Sequence, residues 1–297
     1  MTKTLLGVTL LCLSCIGSIY AREANIIVYG QNAPEWNKDL GVNGTRSSCN
    51  AEPAACMKTV AALLSGQHTD HFYLNLPTDP EKAPAYAEFY SKASREQPQL
   101  REIDLDDFVD HFNTWCHTSG VHCDRLMNQI IDNVKSNNPK LRFGITVYET
   151  EIASLVANPK FPPELRRRID TVHLYIINRA DGPRFENYVK QVKENFPNAE
   201  VIAGVYAYDR LDFEKCHGCS AADARDLQKQ TLRAQVRLLQ QGEIAGLEFY
   251  PGHFGWEDKF SGWSDPNECA PARRHECINN TKAMRDDAVV ILRELKK

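Results

Sequence analysis

The stretch Gly246-Leu247-Glu248-Phe249-Tyr250-Pro251-Gly252 is a short apolar run that carries one carboxylate and is then broken by Pro and Gly. As a strand it alternates faces, so Leu247 and Phe249 share one side while Glu248 and Tyr250 share the other. The same strand pattern recurs at residues 25–30 (NIIVYG), 71–76 (HFYLNL), 100–106 (LREIDLD), 142–149 (RFGITVYE), 171–178 (TVHLYIIN) and 200–208 (EVIAGVYAY). Helical periodicity fills the intervals, over 54–64, 84–93, 124–135, 164–169, 183–195 and 222–241, with a last helix over 281–295. Strands alternating with helices imply parallel strands joined by right-handed crossovers. No Gly-rich phosphate loop follows an early strand, so an open doubly wound sheet is disfavoured and a closed (β/α)8-type TIM barrel is expected. Seven strands are legible where such a barrel has eight, and residues 254–277 offer no eighth. The expectation is therefore an irregular barrel, or a short strand outside the hydrophobic pattern.

The 297 residues suit one such barrel, expected over 22–297. A composition of 42% hydrophobic and 25% charged residues supplies a core of ordinary size. The net charge of −4, with no basic run longer than Arg166-Arg167-Arg168, argues against nucleic acid as a partner. Residues 1–21 read as a secretory signal peptide: Lys3, an apolar run from Leu5 to Ala21, then Arg22-Glu23. An N-terminal lipid anchor at Cys15 is the lesser alternative, because Cys12-Leu13-Ser14-Cys15 lacks a leucine three places before the cysteine. No other segment is long and apolar enough to cross a bilayer, so the expected location is secreted or periplasmic.

Beyond the leader, eight cysteines fall into close pairs: Cys49 and Cys56, Cys116 and Cys123, Cys216 and Cys219, Cys269 and Cys277. In an exported chain these read as local disulfides stapling the loops that follow strands. Cys216-His217-Gly218-Cys219 has a zinc-like spacing but no matching second pair, so no metal and no cofactor are expected. The sequons Asn43-Gly44-Thr45 and Asn279-Asn280-Thr281 fit N-glycosylation in a eukaryotic host.

The two-residue period assigns an apolar set to the helix-facing side of the strands, Ile26, Val28, Phe72, Leu74, Ile103, Leu105, Ile145, Val147, Val172, Leu174, Val205, Leu247 and Phe249. The opposite set is Tyr29, Tyr73, Asn75, Glu102, Asp104, Asp106, Thr146, Tyr148, His173, Tyr175, Tyr206, Tyr208, Glu248 and Tyr250. A purely structural barrel fills its interior with branched aliphatics. Tyrosines mixed with acids suit carbohydrate instead, since rings stack on sugar faces while acids bind hydroxyls or exchange protons. Trp256, just beyond Pro251-Gly252, suits a substrate loop. His173 reads as a satisfied interior histidine, and Glu151 and Asp209 as helix caps.

This arrangement resembles a secreted barrel glycoside hydrolase, especially the large group with a catalytic acid at the end of the fourth strand and a nucleophile at the end of the seventh. Thr146-Val147-Tyr148-Glu149-Thr150-Glu151 supplies an acid at the first position and Glu248 one at the second. The group's Asn-Glu pair is absent, because Tyr148 precedes Glu149. Ile103-Asp104-Leu105-Asp106-Asp107-Phe108 is distantly similar to the Asp-rich strand of chitinase-like barrels. The resemblance implies Glu248 as nucleophile or base and Glu149 or Asp106 as general acid, acting through an oxocarbenium-like transition state. Asp104 and Asp106 have the better parity, since Glu149 shares its parity with Ile145 and Val147. A non-catalytic carbohydrate-binding barrel is the competing reading, and the shortage of paired histidines weighs against a metal-dependent hydrolase.

Overall fold

A computed structural model describes residues 24–30, 34–49, 51–211, 219–250 and 271–296. Eight parallel strands close in sequence order: Asn25–Tyr29 (β1), Gly44–Ser47 (β2), His71–Asn75 (β3), Leu100–Leu105 (β4), Arg142–Tyr148 (β5), Thr171–Tyr175 (β6), Glu200–Tyr206 (β7) and Gly246–Tyr250 (β8). The helices are Pro34–Leu40 (α1), Pro53–Gln67 (α2), Ala83–Glu96 (α3), Phe108–His117 (α4), Cys123–Ser136 (α5), Ile152–Ala157 (α6), Pro163–Arg166 (α7), Phe185–Asn195 (α8), Ala221–Gln240 (α9) and Arg274–Leu292 (α10). The fold is a closed (β/α)8 TIM barrel.

The count of seven strands is thus corrected to eight. The strand that escapes the pattern is β2, Gly-Thr-Arg-Ser, which has no apolar residue to signal it. It forms because β1 and β3 pair with it on both sides, Val28 with Thr45 and Thr45 with Phe72. Closure, rather than hydrophobicity, makes it a strand.

The helix-facing alternation holds for all but one of the expected residues; Val28 is buried without joining the main core. Ile26, Phe72, Leu74, Ile103, Leu105, Ile145, Val147, Val172, Leu174, Val205, Leu247 and Phe249 all join the main hydrophobic core between sheet and helices. Trp36 of α1 meets Phe249 edge-on, at 5.7 Å between ring centroids. Inside the barrel the apolar filling shrinks to a separate small cluster of Ile27, Tyr73 and Ile202. Above it the interior is polar. Two inward glycines make room for that content: a Cβ on Gly144 would lie 2.3 Å from Oε1 of Glu102, and one on Gly204 would lie 2.2 Å from the ring of Tyr175.

Disulfides Cys49–Cys56 and Cys116–Cys123 are formed, the first joining the end of β2 to α2 and the second joining α4 to α5. Cys219 and Cys277 are disulfide-bonded as well. The leader with Cys15, Cys216, Cys269, His253, Trp256 and Trp263 lie outside the described residues. Among the described residues, no helix is long and apolar enough to cross a membrane. The sequon asparagine Asn43 is a structural brace: its side chain accepts from the Ile26 amide at 2.9 Å and donates to the Ala24 carbonyl at 3.0 Å. Thr281 of the other sequon is buried and accepts from the Asp209 amide at 3.0 Å.

Gly204→Ala should destabilise the barrel by about 1–3 kcal/mol, the usual cost of forcing a methyl group into a packed interior. Urea unfolding measures this, and an unchanged midpoint would contradict the seating of Tyr175 against the β7 backbone.

Candidate functional site at the barrel mouth

Arg46, on the strand the sequence pattern misses, is the hub of the barrel interior. Its side chain is 1% exposed. Nη1 donates to Oε1 of Glu248 at 2.7 Å, and Nη2 donates to Oδ1 of Asp104 at 2.6 Å. Nε donates to Oδ2 of Asp104 at 3.2 Å and to Oδ1 of Asn75 at 3.1 Å. Nη2 also reaches Oγ1 of Thr146 at 2.8 Å and Oδ1 of Asp106 at 3.3 Å. One planar fork therefore ties β2 to β3, β4, β5 and β8, a task for which guanidinium geometry is suited.

His173 forms the second bridge. Nε2 lies 2.7 Å from Oε1 of Glu102, and Nδ1 lies 3.0 Å from Oε2 of Glu248. The first contact is a hydrogen bond; the second is an ion-pair contact whose N–H is not aimed at the oxygen. Burial disfavours the imidazolium, but Glu248 and Glu102 outweigh it and raise His173 to about 9. Burial likewise opposes ionisation of Glu248, and Arg46 and His173 overcome it, holding the carboxylate at about 2. Burial raises Asp104 to about 6, with the nearby Glu102 charge adding to it and Arg46 and His173 opposing it. Glu102, also resisted by burial, is held below its usual range by His173, Arg142 and Thr171.

Above this layer a pocket of about 360 Å3 opens at the C-terminal ends of the strands. Its walls carry Tyr29, Tyr148, Tyr175, Tyr206, Tyr208 and Tyr250. Asp106 and Asp107 are its carboxylates, and Arg46 forms part of its lining from below. Asp106 accepts from the Tyr29 hydroxyl at 3.0 Å, and Asp107 accepts from the Tyr148 hydroxyl at 2.6 Å. Asp107 has a left-handed backbone (φ 43°), which departs from strand alternation immediately before α4.

The structure separates the sequence-derived candidates into two levels. Tyr29, Asp106, Tyr148, Tyr175, Tyr206, Tyr208 and Tyr250 meet in the pocket. Tyr73, Asn75, Asp104, His173 and Glu248 do not line it; Tyr73 packs with Ile27 and Ile202, and Asp104, His173 and Glu248 are fully buried. Glu149 is also buried, and its two oxygens accept from the backbone amides of Ile177 at 2.7 Å and Asn178 at 2.9 Å. That carboxylate clamps the turn after β6. The added strand also moves the positions implied by the resemblance: Glu149 follows β5 and Glu248 lies on β8. The fourth strand is the one that carries Asp104 and leads into Asp106 and Asp107.

Arg46, Asp107, Ile177 and Arg210 are the pocket residues that sequence reasoning missed. Asp107 was readable as the residue after an alternating acidic strand, whereas nothing around Arg46 or Arg210 marked them. Glu151 accepts from the Tyr148 amide at 3.0 Å, and Asp209 accepts from the Leu211 amide at 3.0 Å, so both brace the turns that end their strands.

No family model and no curated protein matches the chain by sequence. Solved structures match by shape, glycoside hydrolases among them. A glucosidase from Croceicoccus marinus superposes with a TM-score of 0.56 at 14% identity, over 89% of this chain and 68% of that one. The exo-β-1,4-mannosidase Op5Man5 from Opitutaceae bacterium strain TAV5 gives 0.56 at 13% identity, over 92% and 60%. Bacteroides uniformis β-glucuronidase 2 gives 0.51 at 13% identity, over 78% of this chain but only 30% of its own length. At such identities the likeness shows the fold.

Removing the hub by Arg46→Met leaves Glu248 and Asp104 without their cation and should cost about 3–5 kcal/mol in urea unfolding. His173 contributes a pH-dependent part. Its folded pKa of about 9 exceeds the ordinary 6.5, so its contribution is complete below pH 6.5 and is lost as pH rises through 9. The contribution of Glu248 has the opposite sign, complete above pH 4.5 and lost as pH falls towards 2. Wild-type protein should lose stability between pH 6.5 and 9 relative to His173→Gln. Parallel denaturation curves for the two proteins across that window would refute the protonated bridge.

Proposed function

We propose that the protein binds a glycan in the tyrosine-lined mouth of an exported barrel of glycoside hydrolase type. The observation that carries this reading is the pocket in which tyrosine rings and hydroxyls stand beside Asp106 and Asp107. Its volume of about 360 Å3 suits a small ligand or one end of a chain. Rings offer faces to the C–H side of a sugar, and carboxylates accept from its hydroxyls. The relatives in shape are named as a glucosidase, a mannosidase and a β-glucuronidase, which supports a sugar ligand. Disulfides fit an oxidising compartment, in keeping with export directed by residues 1–21.

Hydrolysis is the second reading, favoured by the access of Asp106 and Asp107 to the same space. Asp106 would protonate the glycosidic oxygen while Asp107 takes a proton from the attacking water, yielding a free anomeric hydroxyl and an alcohol. Binding comes first because a paired-carboxylate mechanism needs acids on opposite sides of the scissile bond, and both of these leave the end of β4. In either reading Glu248, sealed beneath Arg46 and Tyr175, is a positioning residue and not a nucleophile.

A panel of glycans screened for binding and for new reducing ends separates the two. Binding that Tyr206→Ala weakens at least tenfold, without new reducing ends, supports the first reading. Release of reducing ends that falls at least 100-fold in Asp106→Asn, with the fold intact by circular dichroism, supports the second. No binding to any member sinks both.

A further inference from the structure

We infer that the ligand of this pocket is an amino sugar whose amines are free and protonated. This rests on the carbohydrate reading above and adds a charge to it. The aromatic lining is continuous: ring centroids lie 5.1 Å apart for Tyr29 and Tyr250, 5.8 Å for Tyr250 and Tyr206, and 5.0 Å for Tyr206 and Tyr175. Such rings present negative faces to a cation: Arg46 already lies 4.9 Å from the Tyr29 centroid and Arg210 3.7 Å from that of Tyr206, and aromatic cages of this kind are used to hold ammonium groups. The phenols themselves stay neutral. Burial raises Tyr29 and Tyr175 well above the usual range and pushes Tyr206 up to about 12.

The formal charges in the lining are Arg46 and Arg210 against Asp106 and Asp107. They do not act equally on a ligand. Arg46 is 1% exposed and already faces Asp104 and Glu248 from the pocket floor. Arg210 is buried with its guanidinium carbon 3.7 Å from the Tyr206 ring centroid, and it donates to the carbonyls of Ile176 and Ile177. Asp106, by contrast, has 34% of its side chain exposed, and Asp107 is exposed. A negative rim over an aromatic wall favours an ammonium group, whereas a uronic acid would bring like charge and an N-acetyl sugar no charge at all.

Isothermal titration calorimetry tests this with glucosamine and galactosamine oligomers against their fully N-acetylated forms, at pH 6 and in low and high salt. Wild-type protein should bind one of the free-amine oligomers at least tenfold tighter than its acetylated form. The preference should shrink in high salt and in both Asp106→Asn and Asp107→Asn. Asp106 also touches Arg46, so Asp107→Asn is the decisive variant: an undiminished preference there overturns the inference. Equal affinity for free and acetylated oligomers overturns the amine while leaving the glycan reading standing, whereas no affinity for any glycan removes that reading itself. Oligolysine binding as tightly as the amino sugar would overturn the sugar part.

Discussion

The charge of Arg46 is what allows so many acids inside one barrel. An isolated ionised carboxylate moved from water to a low-dielectric interior is prohibitively costly, so Glu248 and Asp104 can occupy the axis only beside a cation. Arg46 supplies that cation and satisfies both acids through separate edges of one planar group. His173 extends the arrangement to Glu102, and Arg142 lies 3.6 Å from the far oxygen of that carboxylate. Arg46 and His173, with the partly exposed Arg142 at the edge, against Glu102, Asp104 and Glu248 leave the buried layer close to neutral. Breaking one member uncovers the others, so the cluster behaves as a unit.

That neutral layer separates two kinds of barrel interior. Below it, Ile27, Tyr73 and Ile202 fill space as a structural barrel would. Above it, the tyrosines face a solvent-accessible pocket, and their hydroxyls are tied to the layer: Tyr175 donates to Glu248, and Asn75 donates to the Tyr29 oxygen while accepting from Arg46. The floor of the pocket is therefore rigid. A ligand meets pre-positioned rings and two carboxylates, which lowers the ordering cost of binding.

The resemblance to glycoside hydrolases was legible because it rests on pattern. Alternating strands and helices, and polar residues on the face opposite an apolar set, survive as one-dimensional signals. The roles of individual acids did not survive in that way. Glu248 was picked out for its inward parity, which the structure reproduces, but parity does not report depth, and Arg46 and Tyr175 cover it. Glu149 was suspect on parity, and its carboxylate binds two backbone amides of the next strand's turn. Asp107 was quoted only as part of an acidic strand, and its left-handed backbone coincides with its place in the pocket lining.

By itself the sequence determined the barrel class, the helix-facing core and the local disulfides at Cys49–Cys56 and Cys116–Cys123, because periodicity and short spacings are properties of the chain. Tertiary structure alone decided that Gly44–Ser47 is a strand, that Arg46 is the interior cation, and which carboxylates are sealed and which are open. The physical reason is common to all three. A four-residue polar strand is stabilised by the ladders of its neighbours, and a buried charge by partners as distant in sequence as Arg46 is from Glu248, so neither leaves a mark in the residues around it.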